Sequence, residues 1–323
     1  MEDKLRIHIR PGDWLADIDE VADGKEPRSR CRYFIAPYGP FELNEVGEAN
    51  YYVGNKVPYH EHYTGYETFL VDGGALEILS RSRKAVARKG DIVHIMPYAP
   101  HSIRVLEDET IWRAFHQGHS LIPNMIETRR AEGMYPEIFC SPAYREEVRG
   151  RVRKGIWYDY LTPECIEVPA SELPEIRTFD DAIVRFQLEG LELRLKVGRW
   201  ETGGAKEVWQ LMMKSGCSFR FAPYNIFPLL YDVYDGSLEV RLDGREPFVA
   251  TTRDLLHIPK FWGGTITALT DTVLLDMGCQ GYLTRYLDEV TVLKEREPAK
   301  LNDESFLTEL MKKYDFYVQF KLK

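Results

Sequence analysis

The sequence predicts an all-β protein made of two similar barrels in tandem, with a helical connector between them and a helix near the C-terminal end. Three observations carry this. From Cys31 to about residue 119, short apolar runs recur between Gly, Pro, Asn and Asp: YFIAPYGPF, ANYYVGN, ETFLV-DGG-ALEIL, KG-DIVHIMPY and SIRV. That is the rhythm of strands separated by tight turns. Alternating runs resume beyond Ile176, as LELRLKV (191–197) and SLEVRLDG (237–244). In the second run Leu238, Val240 and Leu242 share one face, while Glu239 and Arg241 take the other. Finally, the two regions repeat each other: DIVHIMPYAPHSI (91–103) matches DLLHIPKFWGGTI (254–266) without a gap, and FLVDGGALEI resembles YDVYDGSLEV.

Taken in order, residues 1–30 form an N-terminal arm, in which Trp14, Leu15, Ile18 and Val21 follow a short helical pattern after the breaker Pro11-Gly12. Residues 31–120 are the first barrel. Residues 121–175 are the helical connector: Pro123 opens a helix through Met125–Glu132, and Ser141-Pro142 caps the start of AYREEVR. The arginines clustered there read as a solvated face. Residues 176–293 are the second barrel, and residues 294–323 hold an amphipathic helix, NDESFLTELMKKY. Its stripe is Phe306, Leu307, Leu310, Met311 and Tyr314, capped by Asn302 or Asp303, with Lys312 and Lys313 at its negative end. It docks on a barrel or on a neighbouring subunit, so a homo-oligomer is one expected assembly.

Composition narrows the function classes. Over 323 residues, 44% are apolar and 29% charged, the mixture of a soluble globular protein with cores. A net charge of −9 argues against nucleic acid or an anionic membrane as partner and leaves a small-molecule substrate. The five cysteines are scattered, with neither zinc-site nor C-x-x-C spacing, which reads as reduced thiols in a cytoplasmic protein. The first residues lack an apolar core of signal-peptide length, and no apolar run approaches the ~18 residues of a membrane span.

The stretch from Gly54 to His101 carries the chemistry. His60 and His62 stand two apart in a strand-like segment, so both rings share one face and Glu61 takes the other. Glu67 opens the run E-T-F-L-V, and His101 follows the turn P-Y-A-P. Three imidazoles and a carboxylate converging inside a small barrel would hold a divalent metal. In the repeat His101 aligns with Gly264. His60 and His62 fall opposite Ala222 and Tyr224 or opposite Pro223 and Asn225, and Glu67 opposite Leu229 or Leu230. The second half therefore keeps the pattern without the ligands. His94 and His257 persist in both halves, so neither is a ligand; both read as core or inter-sheet histidines.

At these residues the chain resembles the cupin superfamily, and within it the bicupins, which carry two double-stranded β-helix (jelly-roll) barrels in one polypeptide. Gly54, His60, His62, Glu67 and Gly74 meet the family's first motif, G-x5-H-x-H-x4-E-x6-G, in full. Gly90 and His101 meet the second, while Met96, Tyr98 and Val105 stand in place of its proline, turn glycine and asparagine. The resemblance implies a metal site in the N-terminal barrel only. Cupins include dioxygenases, decarboxylases, isomerases, lyases, hydrolases and binding proteins, so the fold does not choose a reaction.

Three neutral imidazoles and one carboxylate leave a divalent ion with a net charge of +1, which favours an anionic substrate, an enolate or hydroxide. Iron or manganese is expected first, with nickel, cobalt, zinc and copper also compatible. Glu67 is a metal ligand that doubles as a candidate base. Tyr66 and His116 are the other catalytic candidates, with His119 a weaker one. Arg104 and Arg113 are candidates to neutralise a substrate carboxylate. By analogy with single-metal bicupins, the leading expectation is a non-haem dioxygenase cleaving a C–C bond in a phenolic, enolic or β-diketone-like substrate. The alternative is a non-oxidative metalloenzyme (isomerase, decarboxylase, lyase or hydrolase), and a ligand-binding module without catalysis comes third.

Overall fold

The computed structural model describes residues 7–14, 16–20, 29–35, 44–62, 65–80, 83–117, 133–136, 141, 157–158 and 175–321. The chain divides into two compact units. Trp14–Asp181 forms the first; Met1–Asp13 together with Ala182–Lys323 forms the second.

In chain order the strands are β1 (His8–Ile9), β2 (Ala16–Glu20), β3 (Ser29–Ile35), β4 (Asn44–Tyr51), β5 (Lys56–His62), β6 (Tyr66–Gly73), β7 (Ala75–Ser80) and β8 (Arg83–Arg88). Next come β9 (Ile92–Ile95), β10 (His101–Val105), β11 (Thr110–Gln117), β12 (Trp157–Tyr158), β13 (Glu175–Arg177), β14 (Val184–Leu188), β15 (Leu191–Val197) and β16 (Glu207–Met213). The last are β17 (Ser218–Phe221), β18 (Leu229–Asp235), β19 (Ser237–Leu242), β20 (Phe248–Thr251), β21 (Leu255–Ile258), β22 (Gly264–Ala268), β23 (Thr272–Cys279) and β24 (Val318–Gln319). Two helices, α1 (Leu283–Arg296) and α2 (Glu304–Lys313), belong to the second unit.

Each unit is a pair of sheets. In the first, a 7-stranded sheet runs β13-β9-β6-β11-β4-β3-β2 and a 5-stranded sheet runs β12-β5-β10-β7-β8. The second repeats this strand for strand, as β1-β21-β18-β23-β16-β15-β14 and β24-β17-β22-β19-β20. Consecutive strands pair at the sheet edges, as in β2-β3-β4 and β7-β8, while the central neighbours, such as β4-β11-β6 and β5-β10-β7, are distant in sequence, as in a jelly roll. The chain just before each repeat supplies the outer strand of the other unit: β13 pairs with β9, and β1 pairs with β21.

The cores follow the alternation read from the sequence. In the first unit Phe69, Val71, Leu76, Ile78, Val93, Ile95 and Ile103 are buried together. In the second, Leu238, Val240 and Leu242 are buried among Leu193, Leu195, Trp209 and Leu274. Gly74 turns β6 into β7 at φ +70°, where a Cβ would come within 2.2 Å of Thr110 Oγ1, so the motif glycine is fixed by space as well as by backbone.

Two local expectations change. The helical pattern at Trp14–Val21 gives way to strand β2, which pairs with β3 through Ile18↔Cys31. Ala16, Ile18 and Glu20 alternate with Asp17 and Asp19, so the segment also has period two, and an open sheet edge selected that period. The helix α1 lies where the sequence reading continued the second barrel. Its buried residues Leu283, Tyr286, Leu287, Val290 and Leu293 keep helical spacing. The expected C-terminal helix is present as α2, with Asp303 accepting hydrogen bonds from Ser305 N and Phe306 N as N-cap. The expected connector helices, 125–132 and 143–149, lie outside the described residues; of the connector 121–175 the described residues are 133–136, 141, 157–158 and 175.

Candidate metal centre

Strand β5 presents His60 and His62 on one face, and β10 brings His101 directly across from His60. The three rings close into a cluster, with centroids 5.1 Å apart for His60–His62, 4.3 Å for His60–His101 and 5.3 Å for His62–His101. All three are 4% exposed or less. One nitrogen from each lies within 4.8 Å of the others, the single such group of possible metal donors among the described residues. Glu67 enters from β6 in the opposite sheet. Its Oε2 stands 3.0 Å from His62 Nε2 and 3.6 Å from His101 Nε2.

The backbone sets the tautomers. His101 Nδ1 hydrogen-bonds to the Ala99 carbonyl at 2.8 Å, which leaves Nε2 as the lone-pair nitrogen. That Nε2 is fully buried and makes no hydrogen bond among the described residues. A buried acceptor left in this way is costly unless something binds it, and this fits the site to a divalent transition metal. Burial also holds the His62 imidazole below its ordinary pKa, against the opposing pull of Glu67, so the ring is neutral and ready to coordinate. The Tyr98 N–H donates to the His62 carbonyl at 2.7 Å, so the 96–99 loop anchors two of the three histidines. Tyr98 holds φ +61° although it is not glycine. Phe261 repeats this in the second unit at φ +67°, with its N–H donating to the Asn225 carbonyl at 2.7 Å.

The other candidates separate. Tyr66 stacks on His94 with centroids 5.9 Å apart, and His94 Nδ1 hydrogen-bonds to Thr68 Oγ1 at 2.9 Å. Tyr66, Thr68 and His94 therefore share the strand face opposite Glu67, which turns Tyr66 away from His60, His62 and His101. His94 is buried within one sheet, on the strand face opposite the core residues Val93 and Ile95. Arg104 pairs with Glu77 on the outside, and Arg113 is buried against Glu48 at 3.1 Å and Phe34, on the face opposite Trp112 and Ala114. His116 stands directly across from Glu67 on one side and from Glu45 on the other. His119 lies outside the described residues.

Glu45 is the residue the sequence reading missed. It is wholly buried, on the same face of β4 as Ala49 and Tyr51, and in one cross-barrel row with His116 and Glu67. The repeat held the signal, because Glu45-Val46 matches Glu207-Val208 in sequence, although a register shift puts Glu207 opposite Cys279 in the second unit.

The second unit shows how the ligands were replaced. Through the pairs His101↔His60 and Gly264↔Phe221, the counterpart of His60 is Phe221, one or two positions before Ala222 or Pro223, where sequence alignment placed it. Through Glu67↔Ile95 and Leu229↔Ile258, Glu67 corresponds to Leu229. A Cβ on Gly264 would meet the Phe221 ring at 2.6 Å and the Arg241 carbonyl at 2.5 Å. The aromatic ring occupies the room a histidine at this position would need.

No protein-family model matches the sequence, and no curated protein matches it. Solved structures do match. The oxalate decarboxylase of Lactobacillus farciminis in complex with formate superposes with a TM-score of 0.54 at 13% identity, over 84% of this chain and 85% of that one. A structure of Bacillus subtilis oxalate decarboxylase concerned with its Mn(II) centers gives a TM-score of 0.53 at 15% identity, over 84% and 76%. At such identities the likeness is one of fold.

Proposed function

We propose that this chain, a bicupin in fold, is a metal-dependent decarboxylase of small carboxylic acids. His60, His62 and His101 would hold one divalent transition metal, manganese before the others, with Glu67 as the fourth donor. A single observation carries the reading: three buried imidazoles face a buried carboxylate, 3.0 Å from the nearest of them, inside an apolar barrel. The substrate class follows the fold neighbours, which act on oxalate, one of them being a formate complex. This is the non-oxidative alternative drawn from the sequence, and the dioxygenase expectation yields to it because the similar structures are decarboxylases.

When bound, the metal supplies positive charge that draws in a carboxylate and polarises the carbon beside the scissile bond. Decarboxylation breaks the C–C bond, releases CO2 and leaves the electron pair on the retained carbon, which then takes one proton. No oxidant is consumed. In this reading Glu67 holds that proton on Oε2, beside the imidazole of His62. Phe69, Ile95 and Ile103 line the core beside the site and exclude water, which strengthens every charge interaction within. A homo-oligomer and a cytoplasmic location belong to the same proposal.

The test is CO2 release and oxygen uptake by Mn(II)-loaded protein in air-equilibrated buffer, with oxalate and a panel of 2-oxo acids. CO2 released well in excess of oxygen consumed is expected. Stoichiometric oxygen uptake with an oxygenated product would overturn the reading and return the dioxygenase.

A further inference from the structure

The second unit lost its histidines and carries a different set of buried polar groups in their neighbourhood. Across the sheet, Tyr231 on β18, Asp276 on β23 and Trp209 on β16 stand side by side, with Tyr231 and Trp209 in the core. Their counterparts in the first unit are Phe69, Ala114 and Gly47, so this set is not inherited from the repeat. Lys206 and Glu207 precede Trp209, and Glu207 pairs with Cys279. Tyr231, Lys206, Glu207 and Asp276 are all 5% exposed or less.

Their hydrogen bonds leave an uneven balance. Glu207 is satisfied: its Oε2 accepts from Trp209 Nε1 at 2.9 Å and from Thr284 N, at the start of α1, at 3.1 Å. Lys206 Nζ has the Met277 carbonyl, at 3.3 Å. Asp276 Oδ1 accepts from Gly278 N at 3.2 Å. Among the described residues, Lys206 and Asp276 form no ion pair, and neither Asp276 Oδ2 nor the Tyr231 hydroxyl bonds to a protein group. An ammonium has three donors and a carboxylate about four acceptor positions, so most of this capacity is open. Asp276 Oδ2 and the Tyr231 hydroxyl are not fully enclosed, so they front space that water or a small bound species can enter.

We propose that the interior of the second unit is a binding site for a small 2-hydroxy carboxylate, whose carboxylate takes bonds from Lys206 and Tyr231 and whose hydroxyl donates to Asp276. Two donors and one acceptor select that chemistry: an anion with a single adjacent hydroxyl. Trp209, Tyr231 and Leu274 belong to one buried core. The protonation states agree. Burial pushes the Tyr231 hydroxyl well above its ordinary range, so it stays a donor. Burial pulls Lys206 down to about 8, with Asp276 pulling it back up, so near neutral pH the amine is charged. Asp276, pushed up to about 7 by burial, ionises in the same range.

Glycolate is the probe, followed by calorimetry and by ligand-observed NMR on the metal-stripped full-length His101→Ala protein, in which the first unit's site is disabled. Saturable binding is expected there, and a loss of tenfold or more in Lys206→Met and in Asp276→Asn. Tyr231→Phe, the gentler change, should weaken binding several-fold at an unaltered thermal midpoint, which guards against variants that fail to fold. Three results would each overturn the site: no binding at ~10 mM glycolate, a range covering even weak complexes; binding unaffected by Tyr231→Phe; or binding lost in His101→Ala while the wild type binds. The first outcome would mean that only ordered water completes Lys206 and Asp276. Because the binding and its variants are read in the His101→Ala background, where the first unit's site is disabled, the first two results do not depend on the decarboxylase reading, and the third would assign the binding to the first unit.

Discussion

Glu67 and His101 both face the centre of the first barrel, yet removing them should do different things. His101 Nε2 is a donor whose tautomer is locked by Ala99, so His101→Ala should abolish stoichiometric metal in the purified protein, read by elemental analysis. Glu67→Gln keeps the volume and one oxygen donor but cannot carry a proton. It should retain metal and lose turnover by roughly 10²–10⁴-fold, the usual worth of a positioned acid–base group. Equal loss of metal in both variants would reduce Glu67 to a ligand alone. In the second barrel, Gly264→His should not create a second metal site. Phe221 stands where His60 would be and crowds any Cβ at Gly264, so metal stoichiometry should stay unchanged and the thermal midpoint should fall. The cluster of His60, His62 and His101 was legible in the sequence because histidines at fixed spacing on neighbouring strands converge on one face. Tyr66 was assigned to the site although strand parity sends it to the other face. Glu45 was overlooked because a carboxylate far upstream becomes a neighbour of Glu67 only through the ladder of β4, β11 and β6.

Among the elements, β1 makes the sharpest prediction. Ile7 and Ile9 are 7% and 1% exposed, the His257 N–H donates to the Ile7 carbonyl at 2.9 Å, and His8 stacks on Phe248 while bonding Asp254 at 2.8 Å. Burying each isoleucine contributes about 1.5–3 kcal/mol. Deleting residues 1–10 should therefore destabilise the second unit by several kcal/mol and uncover the edge of β21, which invites aggregation. Metal content of the first unit should not change; a loss there would show that the arm acts beyond its own sheet. This strand was not legible, since two paired residues carry no period of their own and their partner lies far along the chain. The alternating runs at 191–197 and 237–244 were legible, because one buried face dictates the pattern residue by residue. Helix α1 could have been read from its apolar spacing, but the repeat drew the barrel boundary past its start.

For the molecule as a whole, the two halves differ in what burial does to charge, and that difference should appear in the pH dependence of stability. In the folded second unit Asp276 is pushed from an ordinary 3.8 up to about 7, and Lys206 is pulled from 10.5 down to about 8. Between pH 4 and 7 the folded chain holds a proton on Asp276 that the unfolded chain has released, so this group makes stability fall as pH rises. Between pH 8 and 10.5 the unfolded chain holds a proton on Lys206 that the folded chain lacks, so stability climbs again. The pair thus produces a minimum between pH 7 and 8, where both groups are charged and buried. Each displacement corresponds to roughly 3–4 kcal/mol, and because the two charges attract, their joint cost is less than the sum. Thermal unfolding across pH 5–10 tests this by difference. Lys206→Met should raise the midpoint at pH 7.5 and flatten the climb above pH 8. Asp276→Asn should flatten the fall below pH 7. A bound hydroxy acid would complete both groups, so it should raise the wild-type midpoint most at that minimum and leave the Lys206→Met midpoint unmoved.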